Sequence, residues 1–176
     1  MKKDLPYHEL KSTVLCSGCS DLQTILAKKA GFCAGVRRAF QMAEEAGRDG
    51  IRWSTLGPLV HNEQVVQHFA NRGISPVASL DELLTEGIII RTHGVPPDIV
   101  TQAINRQIKV KDATCPLVRR IHEVAQLLIQ EDYDIIIFGD IDHPEVQGII
   151  GFCGNRATVI ADVDQAIGWQ GSGKLG

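Results

Sequence analysis

The sequence predicts an α/β protein built from repeated βαβ units with mainly parallel sheets, and two observations carry that reading. Along most of the 176 residues, apolar runs of strand length alternate with segments of helical period, the pattern that gives parallel sheets joined by crossover helices. In addition, residues 33–66 are echoed by residues 115–148 at a constant offset of 82 (115 minus 33). The echo pairs Cys33 with Cys115, Val36-Arg37-Arg38 with Val118-Arg119-Arg120, Ala43 with Ala125, Gly57 with Gly139, His61 with His143 and Glu63 with Glu145. Duplicated folds ordinarily echo apolar positions, so an echo made of Cys, His and Glu points to repeated units converging on one reactive centre.

The elements follow in order. Residues 22–27 form a candidate strand, after which Val36, Ala39, Phe40 and Ala43 recur at the spacing of an amphipathic helix. Residues 51–56 read as a strand, 62–71 as a helix, 88–91 as a strand, and 98–106 as a helix opened by Pro96-Pro97. The second unit repeats the order with a strand at 108–112 and a helix at 116–130 whose inner face is Val118, Ile121, Ala125 and Leu128. Residues 134–138 form a continuous apolar run, as in strands buried on both faces. Residues 1–21 have no periodic pattern and stand apart as an extension.

Composition narrows the function. The chain is 44% hydrophobic and 22% charged with a net charge of −3, enough apolar residues for a core and no basic balance of the kind that binds nucleic acid. No run of 18 apolar residues and no secretory leader is present, and the five cysteines are odd in number and scattered. The expectation is a cytoplasmic protein with no membrane or nucleic-acid partner, whose thiols serve as ligands or nucleophiles rather than disulfides.

Five chemistry-bearing residues fall just after expected strands, where parallel sheets place their ligands. Cys33, in Gly-Phe-Cys-Ala-Gly, and Cys115, in Thr-Cys-Pro, each open a helix, where the helix dipole favours an anionic thiolate. Two thiols at one repeat position suit a metal or iron-sulfur centre, and their separation excludes a local zinc motif. His61 and His143, joined by His93 in Thr-His-Gly-Val, suit binding of a diphosphate. Glu145, two residues after His143, is the natural general acid, whereas Glu63 reads as a solvated charge in a helix first turn. His8, His68, His122 and Cys153 read as structural or exposed.

The strings ILAKKAGFCAGVRRA, TLGPLVHN, RTHGVP, VKDATCPLV and HPEVQGI, in this order and spacing, resemble the 4-hydroxy-3-methylbut-2-enyl diphosphate reductase (LytB, or IspH) family, from about residue 22 onward. The resemblance implies three similar α/β units about a pseudo-threefold axis in a trefoil-like arrangement. Each unit would give one cysteine to a 4Fe-4S cluster with one open iron position. It makes Cys33 and Cys115 cluster ligands, His61, His93 and His143 substrate-binding residues, and Glu145 the proton donor. The implied reaction removes the hydroxyl of an allylic diphosphate with two electrons and two protons, giving isopentenyl and dimethylallyl diphosphates, with ferredoxin or flavodoxin as electron donor.

Within that frame the chain divides into an opening strand at 22–33, which in the family packs with the third unit, a first unit at 34–115 and an incomplete second unit at 116–176. A third cysteine, expected about one repeat length (~80 residues) beyond Cys115, is absent, so the chain reads as the first two thirds of such an enzyme. Cys16 and Cys19 form a CxxC pair that the family does not need. Two rival readings stand beside this one: a module that binds metal or phosphate without turnover, and an inactive fragment with an exposed apolar seam.

Overall fold

Four short strands, β1 (Trp53–Leu56), β2 (Ser75–Val77), β3 (Gly87–Ile90) and β4 (Lys109–Asp112), form a parallel sheet in the order β2-β1-β3-β4. The computed structural model describes residues 30–171 and 173–176, and every element lies within one unit, Phe32–Gly176. The strand expected at 22–27, the extension at 1–21, His8 and the Cys16/Cys19 pair lie outside the described residues.

Strand parity explains the layering. In β3, Ile89 points to one face and joins a core with Ala39, Phe40 and Ala43 of helix α1 (Ala34–Ala46) and Val65 and Phe69 of α2 (Glu63–Ala70). Ile88 and Ile90 point to the other face, against Val95 and Ala103 of the segment that forms α3 (Pro97–Asn105). A strand covered on both faces reads as an unbroken apolar run, which is why 88–91 was legible. Ile89 is fully buried, so Ile89→Ala is expected to lower unfolding free energy by about 2–5 kcal/mol, measurable as a lower urea midpoint at unchanged slope.

The caps follow the sequence. The Asn62 side chain accepts from the Val65 amide at 3.0 Å and starts α2, and Pro97 takes the first position of α3. Helix α4 (Pro116–Gln130) has the expected bounds, opened by Pro116. Its inner face differs from the expected one. Val118 and Ala125 are buried, but Ile121 is 43% exposed and His122 only 3%. The flat imidazole stacks on Phe152, with centroids 4.1 Å apart and planes at 14°, and fits against Gly94 and Gly148, a slot too narrow for a branched side chain.

The chain continues with β5 (Tyr133–Asp134), β6 (Ile136–Phe138), α5 (Pro144–Phe152), β7 (Thr158–Ile160), α6 (Val163–Gly168) and β8 (Lys174–Leu175). The run at 134–138 is therefore not one strand buried on both faces: it breaks at Ile135, β5 pairs in parallel with β8, β6 pairs in parallel with β7, and Phe138 is 65% exposed. Moving the first unit by the repeat offset of 82 residues, from Cys33 to Cys115, carries α1 onto α4, β1 onto the β5–β6 stretch, α2 onto α5 and β2 onto β7. The chemical echo is thus a structural repeat.

Leu117, Ile121, Val124 and Leu127 leave α4 with an exposed apolar surface. Replacing Ile121 and Val124 together by glutamine is expected to leave the thermal midpoint nearly unchanged and to shift size-exclusion elution of concentrated protein toward the monomer.

Candidate active site

Each candidate residue sits at the carboxyl end of a strand or at the first turn of the helix that follows. Cys33 is the N-cap of α1 and its thiol is free and exposed; Cys115 is the N-cap of α4, half-buried and also free. The first turn of α1 meets the N-cap of α4. A Cβ added at Gly35, in the first turn of α1, would lie 2.6 Å from the Cys115 Sγ, so Cys115 occupies the space that the missing side chain leaves.

The loop carrying Cys115 is held from several sides. The Arg38 guanidinium on α1 donates to the carbonyls of Thr114 at 3.2 Å and Asp112 at 3.3 Å. Asp112 accepts from the Thr114 amide at 2.9 Å and hydroxyl, and pairs with Arg119 at 2.7 Å. The Cys115 amide donates to the Thr92 carbonyl at 2.9 Å, which ties the second thiol to the loop bearing His93.

The three histidines converge. Ring centroids lie 4.6 Å apart for His61 and His93, 6.0 Å for His93 and His143, and 6.4 Å for His61 and His143. The Thr92 amide and hydroxyl both donate to the Leu59 carbonyl at 3.2 Å, locking the His93 loop to the His61 loop. His143 caps α5 by accepting from the Glu145 amide at its Nδ1, 3.2 Å away. That bond requires a lone pair on Nδ1, so neutral His143 carries its proton on Nε2.

Glu145 lies half-buried in the first turn of α5, two residues from His143. Glu63, its repeat counterpart, is exposed in the first turn of α2, as expected of a solvated charge.

Burial, followed by repulsion from His61, Arg91 and His143, pushes the His93 imidazole down from 6.5 to about 4, and its Nδ1 is buried without a hydrogen-bond partner. Burial lowers His122 as well. A histidine that resists protonation in the fold binds a proton first in the unfolded chain. Stability is therefore expected to be flat above pH 6.5 and to fall as pH drops from 6.5 toward 4, seen as urea midpoints at pH 7.5 and 5 (about, for the choice of pH on either side of the histidine range); His93→Asn should flatten that slope.

Two residues that the sequence set aside are held within the fold. His68 pairs with Glu44 at 2.7 Å, and Cys153 is fully buried with its thiol pushed up by desolvation. Sequence reasoning missed Thr92, Thr114, Asp112 and Arg38 as loop clasps. The Val-Arg-Arg echo flagged Arg38 without its purpose, since a contact to backbone carbonyls leaves no residue-type signature.

The match to known proteins agrees with this geometry. The family description "LytB protein" covers residues 24–172. The chain belongs to the LytB family. A 4-hydroxy-3-methylbut-2-enyl diphosphate reductase of Geotalea uraniireducens is 40% identical over 155 residues, 88% of this chain and 55% of that protein. A reductase of the same name from Geobacter sp. strain M21 is 46% identical over 141 residues, 80% of this chain and 50% of its own length. Among solved structures, a (E)-4-hydroxy-3-methyl-but-2-enyl diphosphate reductase described as the terminal enzyme of the non-mevalonate pathway superposes with a TM-score of 0.70 at 37% identity, covering 82% of this chain and 52% of that one. The Plasmodium falciparum reductase gives 0.78 at 28% identity, covering 84% and 48%.

This LytB chain thus spans about half the length of the curated relatives it matches. Its parallel sheets have the LytB fold. Among the described residues no group of three or more His, Cys, Asp or Glu side chains could hold a metal ion, and no helix is long and apolar enough to cross a membrane.

Proposed function

We propose that this LytB chain carries the first two α/β units of a 4-hydroxy-3-methylbut-2-enyl diphosphate reductase, which removes the substrate hydroxyl as water with two electrons and two protons. The observation that supports it most is the convergence of His61, His93 and His143, from three separate loops, with the Cys115 loop tied to that of His93 and packed on the first turn of α1.

The donor set fits an iron-sulfur cluster in part. Cys33 and Cys115 are thiol donors at helix N-termini, and the bare Cα of Gly35 makes the room that Cys115 needs. A third protein ligand is to be sought in the half of the relatives that this chain does not span. Once bound, the cluster would supply single electrons and an acidic iron for the departing oxygen. Ferredoxin or flavodoxin is the proposed source of those electrons.

The chain's own residues do the rest. His61 and His143 are exposed, and His143 can donate from Nε2 to an anion while its Nδ1 keeps the cap. Burial and neighbouring positive charge hold His93 neutral near neutrality, so negative charge brought beside it by a diphosphate strengthens its hold on a proton. Affinity for inorganic diphosphate should accordingly rise as pH falls from 7 to 5 (about, across the histidine range). Glu145, within reach of His143 at the opening of α5, provides the proton that lets hydroxide leave as water.

The test joins this chain to the matching second half of the Geobacter relative and follows consumption of the allylic diphosphate with a one-electron donor under anaerobic conditions. Turnover that requires Cys33, Cys115 and Glu145 supports the reading. Diphosphate binding with no turnover by a cluster-loaded hybrid would favour a binding module instead.

A further inference from the structure

We propose that Arg91 is a further anion-binding residue of this site, its guanidinium supplying fixed positive charge for the substrate diphosphate beside the histidine cluster. The inference rests on the diphosphate reading above and deepens it.

Its place in the fold comes first. Arg91 is the first residue beyond β3 and Gly57 the first beyond β1, so both stand at the carboxyl edge of the sheet, where ligands of parallel sheets bind. Gly57 has φ +71°, and a Cβ there would overlap the Arg91 guanidinium, lying 3.3 Å from its Cζ and 3.4 Å from its Cδ. The arginine is laid across the neighbouring strand end, and only a residue without a side chain leaves room for it.

Its lack of a partner is the second observation. Every other described arginine has one: Arg37, Arg38 and Arg156 donate to backbone carbonyls, and Arg48, Arg52, Arg72, Arg106, Arg119 and Arg120 pair with carboxylates. The Arg91 side chain makes no hydrogen bond or ion pair among the described residues, and its Nε is buried. Desolvation lowers its hold on the proton.

The third observation is what surrounds it. The charged groups felt by His93 are His61, Arg91 and His143, with no carboxylate among them. A half-buried guanidinium with no carboxylate partner among the described residues is an uncompensated charge, costly to the fold unless an anion arrives. Guanidinium forks match phosphoryl oxygens in geometry.

The experiment titrates inorganic diphosphate into the unaltered chain, Arg91→Gln, Arg91→Met and Arg91→Lys by calorimetry at low salt, with urea unfolding of each. Arg91→Gln and Arg91→Met should bind about 10- to 100-fold more weakly, the loss expected of one charged hydrogen-bonding group, and Arg91→Lys should fall between them and the unaltered chain. Their urea midpoints should be unchanged or higher, since an unpaired charge has been removed, whereas a purely structural arginine would lower them. Equal diphosphate affinity of Arg91→Met and the unaltered chain overturns the role of Arg91 alone. Failure of the unaltered chain to bind diphosphate overturns the diphosphate reading and this inference with it.

Discussion

Glu145→Gln is expected to lower turnover of the allylic diphosphate by about 10²–10⁴-fold, the usual contribution of a positioned general acid, with little change in substrate affinity. The hybrid enzyme joined to the second half of a relative is the form to assay. Glutamine keeps the amide that caps onto His143 Nδ1, because that bond uses the backbone of residue 145. Only the transferable proton is lost. His143→Ala, by contrast, removes the cap and a ring of the cluster together, so binding should weaken as well as turnover. Near-normal turnover of Glu145→Gln together with its abolition in Glu63→Gln would place the acid in the first repeat instead.

Gly35→Ala is the second substitution with a large expected effect, although it adds a single methyl group. The new Cβ would stand 2.6 Å from the Cys115 Sγ, closer than any van der Waals contact allows, at the one buried position of the first turn of α1. Alanine favours helix over glycine, so a neutral or stabilising change would follow if the space were open. Overpacking typically costs about 1–3 kcal/mol, and here it falls on the thiol itself. The expected result is a chain that folds with a lowered urea midpoint and takes up markedly less iron on anaerobic reconstitution. Ala34→Gly, at an exposed neighbour, is the control that should leave iron uptake intact.

How much of this was legible depends on the kind of residue. The bounds of α4 could be read because Pro116 fixes its first position and the repeat fixes its phase. Strands β2 and β7 could not, being three residues each, with Pro76 inside the first of them, and Pro fits an edge strand without announcing it. Their omission was consistent, since one is the repeat partner of the other. The face of α4 was misread at Ile121 and His122 because apolarity ranks isoleucine inside, while the slot between Gly94, Gly148 and Phe152 selects a flat ring.

The site was legible where it is made of residue types that repeat. Cys33, Cys115, His61 and His143 stand out by their offset; the three imidazoles converge, and Cys115 packs on the first turn of the helix that Cys33 opens. His93 has no repeat partner in the sequence and was found by its motif. Arg91 was invisible, because a charged residue after a strand ordinarily turns to solvent or finds a carboxylate. Its distinction lies in the glycine beneath it and in the absence of a described partner, neither of which is a property of the sequence alone.

The most direct test of the central claim, that the two repeats build one centre, is the iron content of the chain lacking residues 1–20 after anaerobic reconstitution, compared with its Cys33→Ala, Cys115→Ala and Cys153→Ala forms. Thiolate ligation from two cysteines is incomplete, so the chain should bind less than a full cluster per molecule and lose it quickly in air. Cys33→Ala and Cys115→Ala should each abolish that binding, and the buried Cys153→Ala should leave it unchanged. Iron retained by either repeat-cysteine variant, or lost with Cys153, would contradict a centre shared between Cys33 and Cys115.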